Sequence, residues 1–199
     1  MLENEIKELM ARDINTIDEI EKILEYLVKT VRTNLDIKDS STRSCRESSM
    51  ALMRLCDKLD IIYIPFNMSE IGMKGLEHHY GITEFSTEMG LIPILLDLTY
   101  IQFTEDKYIV NCENANESKS VIAPGNFISE NNKENLVKNG YLTLTENNFN
   151  DYIRSFIETY KLVNKVNENV IYDNVYNNLN EFDINFVDKD YLCDRGITF

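Results

Sequence analysis

Apolar residues recur at helical spacing in several separate segments of the chain. Ile17, Ile20, Ile23 and Leu27 repeat every three or four residues, which predicts an amphipathic helix over 17–34. Thr16 followed by Glu19 matches a capping box at the start of that helix. Similar patterns predict helices over 2–11, 44–60, 130–139 and 145–165, and helical spacing continues in the Asn-rich tail.

Strand patterns lie in the middle of the chain. Runs of β-branched and aromatic residues predict strands over 61–66, 76–85 and 91–103, with shorter ones over 107–112 and 141–144. Gly90 suits a turn between the second and third of these strands. Helices, then strands, then helices predict an α+β fold. We expect one main domain over 1–160, helical over its first 35 residues, with 161–199 as an appendage rather than a separate domain.

Composition and charge narrow the classes of function. With 43 % apolar residues, the 199-residue chain can bury a core. A formal net charge of −14 disfavours nucleic-acid binding, which needs clustered Lys and Arg, and would suit a basic protein partner. The polar N-terminus lacks a secretory pattern, and no apolar run approaches the roughly 20 residues that span a bilayer. We therefore expect a cytoplasmic protein, or one exported without a cleavable signal.

Four cysteines are present, at positions 45, 56, 112 and 193, and none forms a closely spaced pair. This arrangement is neither a disulfide framework nor a zinc ribbon, so we expect free thiols, no bound metal and no cofactor. Cys45 differs from the others because it lies in the predicted first turn of a helix, between Arg43 and Arg46. A helix N-terminus favours thiolate over thiol, so Cys45 is a candidate nucleophile. Cys56, among leucines, is predicted to be an inert core thiol.

Two further residues complete a candidate constellation. His78 and His79 are the chain's two histidines and lie in a predicted strand, so their side chains should point to opposite faces. Asp97 interrupts an apolar segment, and a buried carboxylate there needs a donor such as an imidazole N–H. The alternative is that Asp97 bonds local backbone N–H groups. Nucleophile, base and a residue that orients the base would then follow in chain order.

The segments SCRESSMAL around Cys45, HHYGITEF, and Asp97-Leu-Thr-Tyr-Ile-Gln-Phe103 resemble the papain-like and transglutaminase-like superfamily of cysteine enzymes, in particular bacterial papain-fold effector or toxin proteins. The resemblance covers residues 40–156. It implies a helix bearing the nucleophile packed on an antiparallel sheet, followed by C-terminal helices. It also implies Cys45 as nucleophile, His79 as general base and Asp97 as orienting residue. His78 is the alternative base, since His78-His79-Tyr80 also fits a His-x-aromatic pattern.

The function implied by this resemblance is acyl transfer on a carboxamide of a protein or peptide through a thioester. Deamidation, transglutamination and peptide-bond cleavage share the same three residues, so the sequence leaves them open. The chain departs from papain-type peptidases because Asp39 and Ser40 stand where a Gln would precede the nucleophile. The competing interpretation is a non-catalytic acidic protein that binds a basic partner. A metal site at Cys45, a histidine and Asp97 is disfavoured because no short ligand pair anchors it.

Overall fold

In this computed structural model the described residues are 3–12, 14–37, 44–105, 107–111 and 118–187. The helices are α1 (Glu3–Met10), α2 (Ile17–Asn34), α3 (Cys45–Lys58), α4 (Glu130–Lys138), α5 (Glu146–Lys161) and α6 (Glu168–Glu181). The strands are β1 (Tyr63–Asn67), β2 (His79–Thr87), β3 (Gly90–Leu96), β4 (Tyr108–Asn111), β5 (Ser118–Val121) and β6 (Tyr141–Thr143). Short 3-10 helices lie at Tyr100–Phe103 and Pro124–Asn126.

The expected α+β class is confirmed. Strands β1, β2, β3 and β6 form an antiparallel sheet in the order β1-β2-β3-β6, and β4 and β5 form a separate hairpin. Gly90 follows the two-residue turn between β2 and β3 with φ of +104°, a conformation that glycine adopts without strain. No helix of the described residues is both long enough and apolar enough to cross a membrane.

Helices cover both faces of this sheet. Because side chains alternate along a strand, Ile82 and Leu95 enter one core with residues of α5 and α6, while Phe85 and Ile94 enter a second core with residues of α1, α2 and α3. Helix α6, in the predicted appendage, contributes Ile171, Val175 and Leu179 to the first core. The sheet therefore separates α3, which carries Cys45, from α5 and α6.

Candidate functional site

Cys45 is the first residue of α3 and is half-buried. Below it, Ser49, Leu52 and Cys56 are buried on the same side of the helix, as the spacing predicts. The N-cap residue, Ser44, makes no side-chain hydrogen bond to the first turn. The N–H groups of that turn therefore keep their partial positive charge next to the sulfur. Arg43, the expected cationic neighbour, lies outside the described residues, as do Cys112 and Cys193.

His78 lies immediately before β2 and its side chain is fully buried. Its imidazole stacks on Phe156 at 5.1 Å between ring centroids and meets the edge of Phe103 at 4.6 Å. These aromatic rings exclude water from the imidazole, and they fix its plane. A buried ring of this kind needs a polar partner for each nitrogen.

The first of these partners is Asp97, which directly follows β3. His78 Nε2–H donates to Asp97 Oδ2 over 2.7 Å, and both side chains are inaccessible to solvent. Asp97 also accepts from the backbone N–H of Thr99 at 3.1 Å and from its hydroxyl at 3.3 Å, both at Oδ1. The Tyr152 hydroxyl donates to Oδ2 at 2.9 Å. The sequence left two alternatives for Asp97, a hydrogen bond to an imidazole or one to a local backbone N–H. The carboxylate makes both.

The second nitrogen of His78, Nδ1, is buried and makes no hydrogen bond of ordinary geometry within the described residues. The Cys45 thiol donates a hydrogen bond to the Glu77 carbonyl over 3.7 Å. The same thiol interacts with His78, and this interaction lowers the pKa of Cys45 and raises the pKa of His78. The structure therefore brings Cys45, His78 and Asp97 together.

The electrostatics of these three residues favour an ion pair between Cys45 and His78. Burial favours the neutral thiol, but the hydrogen bond and charge of His78 and the His79 backbone N–H outweigh it, so the pKa of Cys45 lies below that of an ordinary thiol. Burial also favours the neutral imidazole of His78. The charge and hydrogen bond of Asp97, with those of Cys45, outweigh it and raise the pKa of His78 to about 9. Both shifts favour the form with a thiolate and an imidazolium over the form in which both groups are neutral.

The structure does not join His79, the histidine expected from the resemblance, to Asp97. His79 is the first residue of β2, and its side chain projects to the face opposite His78. It is half-buried, and burial, His78 and Arg46 together lower its pKa. Its backbone N–H, rather than its imidazole, acts on the thiol. The geometry thus favours the alternative histidine, and the catalytic role of either one stays a prediction.

One contact fixes α3 against the sheet a turn below Cys45. The hydroxyls of Ser49 and Tyr63 are 3.0 Å apart and hydrogen-bonded. The Tyr63 ring approaches Gly81 of β2 so closely that a Cβ added there would lie 2.2 Å from its Cζ atom. Glycine at 81 therefore permits this close approach, which sets the position of the thiol relative to the strand that follows His78.

Arg32 of α2 forms hydrogen bonds to two segments of backbone next to the site. Its guanidinium donates to the carbonyl of Leu98 at 3.3 Å and to three carbonyls at the end of α4, those of Leu136, Val137 and Lys138. Burial lowers the pKa of Arg32, while the charge of Asp97 acts in the opposite direction. Arg32 thereby ties α2, α4 and the segment after Asp97 into one unit.

Sequence reasoning did not find Tyr152 or Arg32. Tyr152 belongs to an ordinary apolar helix face, and nothing in its spacing marks it as a partner of a carboxylate 55 positions away. Arg32 lies near the end of α2, where a basic residue is common for helix-dipole reasons alone. Only the packing of α5 and α2 around Asp97 reveals their roles.

No group of three or more metal-ligating side chains that could hold a metal ion occurs among the residues that the structure describes. A comparison with protein-family models finds no match, and no significant match is found among curated proteins or solved structures.

Proposed function

We propose that this protein is a cysteine-dependent acyl-transfer enzyme in which Cys45 is the nucleophile, His78 the general base and acid, and Asp97 the residue that orients His78. The observation that carries the proposal is the buried His78–Asp97 hydrogen bond of 2.7 Å, with the second imidazole nitrogen left to the Cys45 thiol. If His78 had only a structural role, its second nitrogen would not require a nucleophilic side chain beside it. The papain-like and transglutaminase-like fold is part of this proposal.

The chemistry follows from the ion pair. The Cys45 thiolate attacks the carbonyl carbon of a carboxamide, forming a C–S bond, and the carbonyl oxygen takes the displaced electron pair. The N–H groups at the start of α3, which Ser44 leaves uncapped, are the donors available to that oxyanion. When the C–N bond breaks, His78 gives its proton to the leaving nitrogen, which departs as ammonia or an amine.

The thioester is then resolved by a second nucleophile. His78, now neutral, takes a proton from water or from an incoming amine as that group attacks the thioester carbon. The C–S bond breaks, and the sulfur leaves as thiolate beside the reprotonated imidazole. With a glutamine side chain and water the net reaction is deamidation, with an amine it is transglutamination, and with a main-chain amide it is proteolysis. A protein or peptide is the substrate class in each case.

An activated ester tests this proposal without knowledge of the natural substrate. We expect p-nitrophenyl acetate to acetylate Cys45 in preference to the other thiols, as read by peptide mass spectrometry. We also expect repeated turnover of p-nitrophenolate. Cys45→Ser should abolish both signals, and His78→Ala should slow both. Equal acetylation of every thiol, or one equivalent of p-nitrophenolate without further turnover, would contradict the proposal. The latter result would favour the alternative of a non-catalytic acidic protein with a basic partner.

A further inference from the structure

Tyr152 of α5 shares an acceptor atom with His78. Its hydroxyl donates to Asp97 Oδ2 over 2.9 Å, and His78 Nε2–H donates to the same oxygen over 2.7 Å. The Tyr152 side chain is fully buried. Two donors on one oxygen fix the direction of the carboxylate and spread its negative charge.

The surroundings of Tyr152 hold this hydroxyl in place. Its ring packs against Phe156 at 5.2 Å and against Tyr80 at 5.4 Å between centroids. Burial and the nearby charge of Asp97 keep its pKa well above that of a free tyrosine. The phenol therefore remains protonated, and remains a donor, over the whole range in which the Cys45 thiol titrates.

The carboxylate must stay directed at Nε2 if it is to hold the imidazole in place. A carboxylate that has one donor can turn about the bond to its side chain, and further donors on its oxygens restrict this rotation. Within the described residues, three donors besides His78 do so: the Tyr152 hydroxyl, and the N–H and hydroxyl of Thr99.

We propose that Tyr152 is a positioning residue that keeps the Asp97 carboxylate directed at His78, and so strengthens the hydrogen bond that favours a proton on the imidazole beside Cys45. This inference rests on the proposed function. Other titratable or charged groups also act on Asp97 or Tyr152 from the surrounding elements. They are Cys45 and Arg32 from the helices, Tyr63 and Tyr80 from the strands, and Tyr100 from the 3-10 helix.

Tyr152→Phe tests the proposal, with Tyr100→Phe as a matched control. The Tyr100 ring lies in the same aromatic cluster, 5.9 Å from the Tyr152 ring between centroids, and its buried hydroxyl makes no hydrogen bond of ordinary geometry to any residue that the structure describes. The readout is the pH dependence of Cys45 alkylation by iodoacetamide. The midpoint of this profile is the pH at which the alkylation rate of Cys45 is half its maximum. Loss of a hydrogen bond to a charged group should move the midpoint upward by about one pH unit in Tyr152→Phe. Tyr100→Phe should leave that midpoint in place.

Three outcomes are decisive for this inference. If wild-type Cys45 titrates like an ordinary thiol, the proposed function fails and this proposal fails with it. If the wild-type thiol is activated and its midpoint is unmoved in Tyr152→Phe, or moves equally in Tyr100→Phe, only the role of Tyr152 is overturned. If Tyr152→Phe does not fold, 3-fluorotyrosine at position 152 replaces it. This residue keeps the ring and is a stronger donor, so the midpoint should move downward, and an unmoved midpoint overturns the role.

Discussion

His78 and Asp97 form a hydrogen-bonded pair that is sealed from solvent on every side, with Nε2 of the imidazole 2.7 Å from Oδ2 of the carboxylate. Neither residue belongs to a strand, since His78 precedes β2 and Asp97 follows β3. The two neighbouring strands run antiparallel, so the start of one and the end of the other meet at the same edge of the sheet. Cys45 reaches that edge from the N-terminus of α3.

The charge of Asp97 should be required for thiol activation. In Asp97→Asn the imidazolium loses its counter-ion, so we expect alkylation of Cys45 at pH 6 to fall by about tenfold or more. The measurement is the alkylation rate followed by mass spectrometry. Asp151→Asn is the control, because Asp151 also accepts several hydrogen bonds, from Ser129 and Asn132. An equal loss in both variants would indicate general destabilisation instead.

Stability should depend on pH through His78. Its folded pKa of about 9 lies above the unfolded value of 6.5, so folding gains from protonation of this group. That contribution is complete below pH 6.5 and is lost as the pH rises through about 9. In Cys45→Ser no thiol titrates at position 45, and the part of the shift that the thiol causes is absent, so the pKa of His78 rises less far above 6.5. We therefore expect the free energy of unfolding of this variant to fall by about 2 kcal/mol between pH 6.5 and pH 9. Urea unfolding at successive pH values measures it.

The matched variant for that experiment carries Cys45→Ser together with His78→Gln. It lacks the imidazole at position 78, so its free energy of unfolding should change much less between pH 6.5 and pH 9. A drop of the same size in both proteins would assign the pH dependence to other groups.

Gly81→Ala should displace Tyr63. The new Cβ would lie 2.2 Å from the Tyr63 ring, so the end of this side chain must shift, and its hydrogen bond to Ser49 is disturbed. We expect a loss of stability of about 1 to 3 kcal/mol, which is typical of overpacking. A double-mutant cycle with Tyr63→Ala checks the mechanism. If the clash is the cause, Gly81→Ala should cost little once the ring is absent, and additive effects would exclude this explanation.

Arg32→Met should weaken the link between α2 and α4. The guanidinium donates to four carbonyls, three of them at the end of α4, and its removal leaves those groups without this donor. We expect a loss of about 2 to 3 kcal/mol in thermal or urea unfolding. Arg54→Met, at an exposed position of α3, serves as the control and should change stability by less than about 0.5 kcal/mol.

Local sequence patterns predicted most of the fold. The helix over 17–34 has the predicted bounds, and it begins at Ile17 because the capping box of Thr16 and Glu19 forms as expected. Thr145 caps α5, and Gly140 follows α4 with φ of +79°. These signals are local, so one sequence is enough to read them. Strand β5 was not predicted, because Ser118–Val121 is mostly polar and exposed.

The limits of prediction lie where distant elements meet. The strand predicted over 91–103 ends at Leu96, because the Asp97 side chain bonds the N–H of Thr99 and the chain turns into a 3-10 helix. The strand predicted over 76–85 begins only at His79, since a local turn joins the N–H of His78 to the carbonyl of Leu76. The sequence supplied both histidines and Asp97. Which histidine bonds the carboxylate depends on how α5 and the sheet pack.

The most direct measurement is the pH dependence of Cys45 alkylation in the wild type, His78→Ala and His79→Ala, with Cys56 followed in each sample. Cys56 is the internal reference, because burial raises its pKa to about 12 and should leave it almost unreactive. We predict that wild-type Cys45 reacts well below the pH at which a free thiol ionises. His78→Ala should remove this advantage and His79→Ala should largely retain it. The thiolate–imidazolium pair would be contradicted if Cys45 reacted like an ordinary thiol in the wild type, or if only His79→Ala abolished its reactivity.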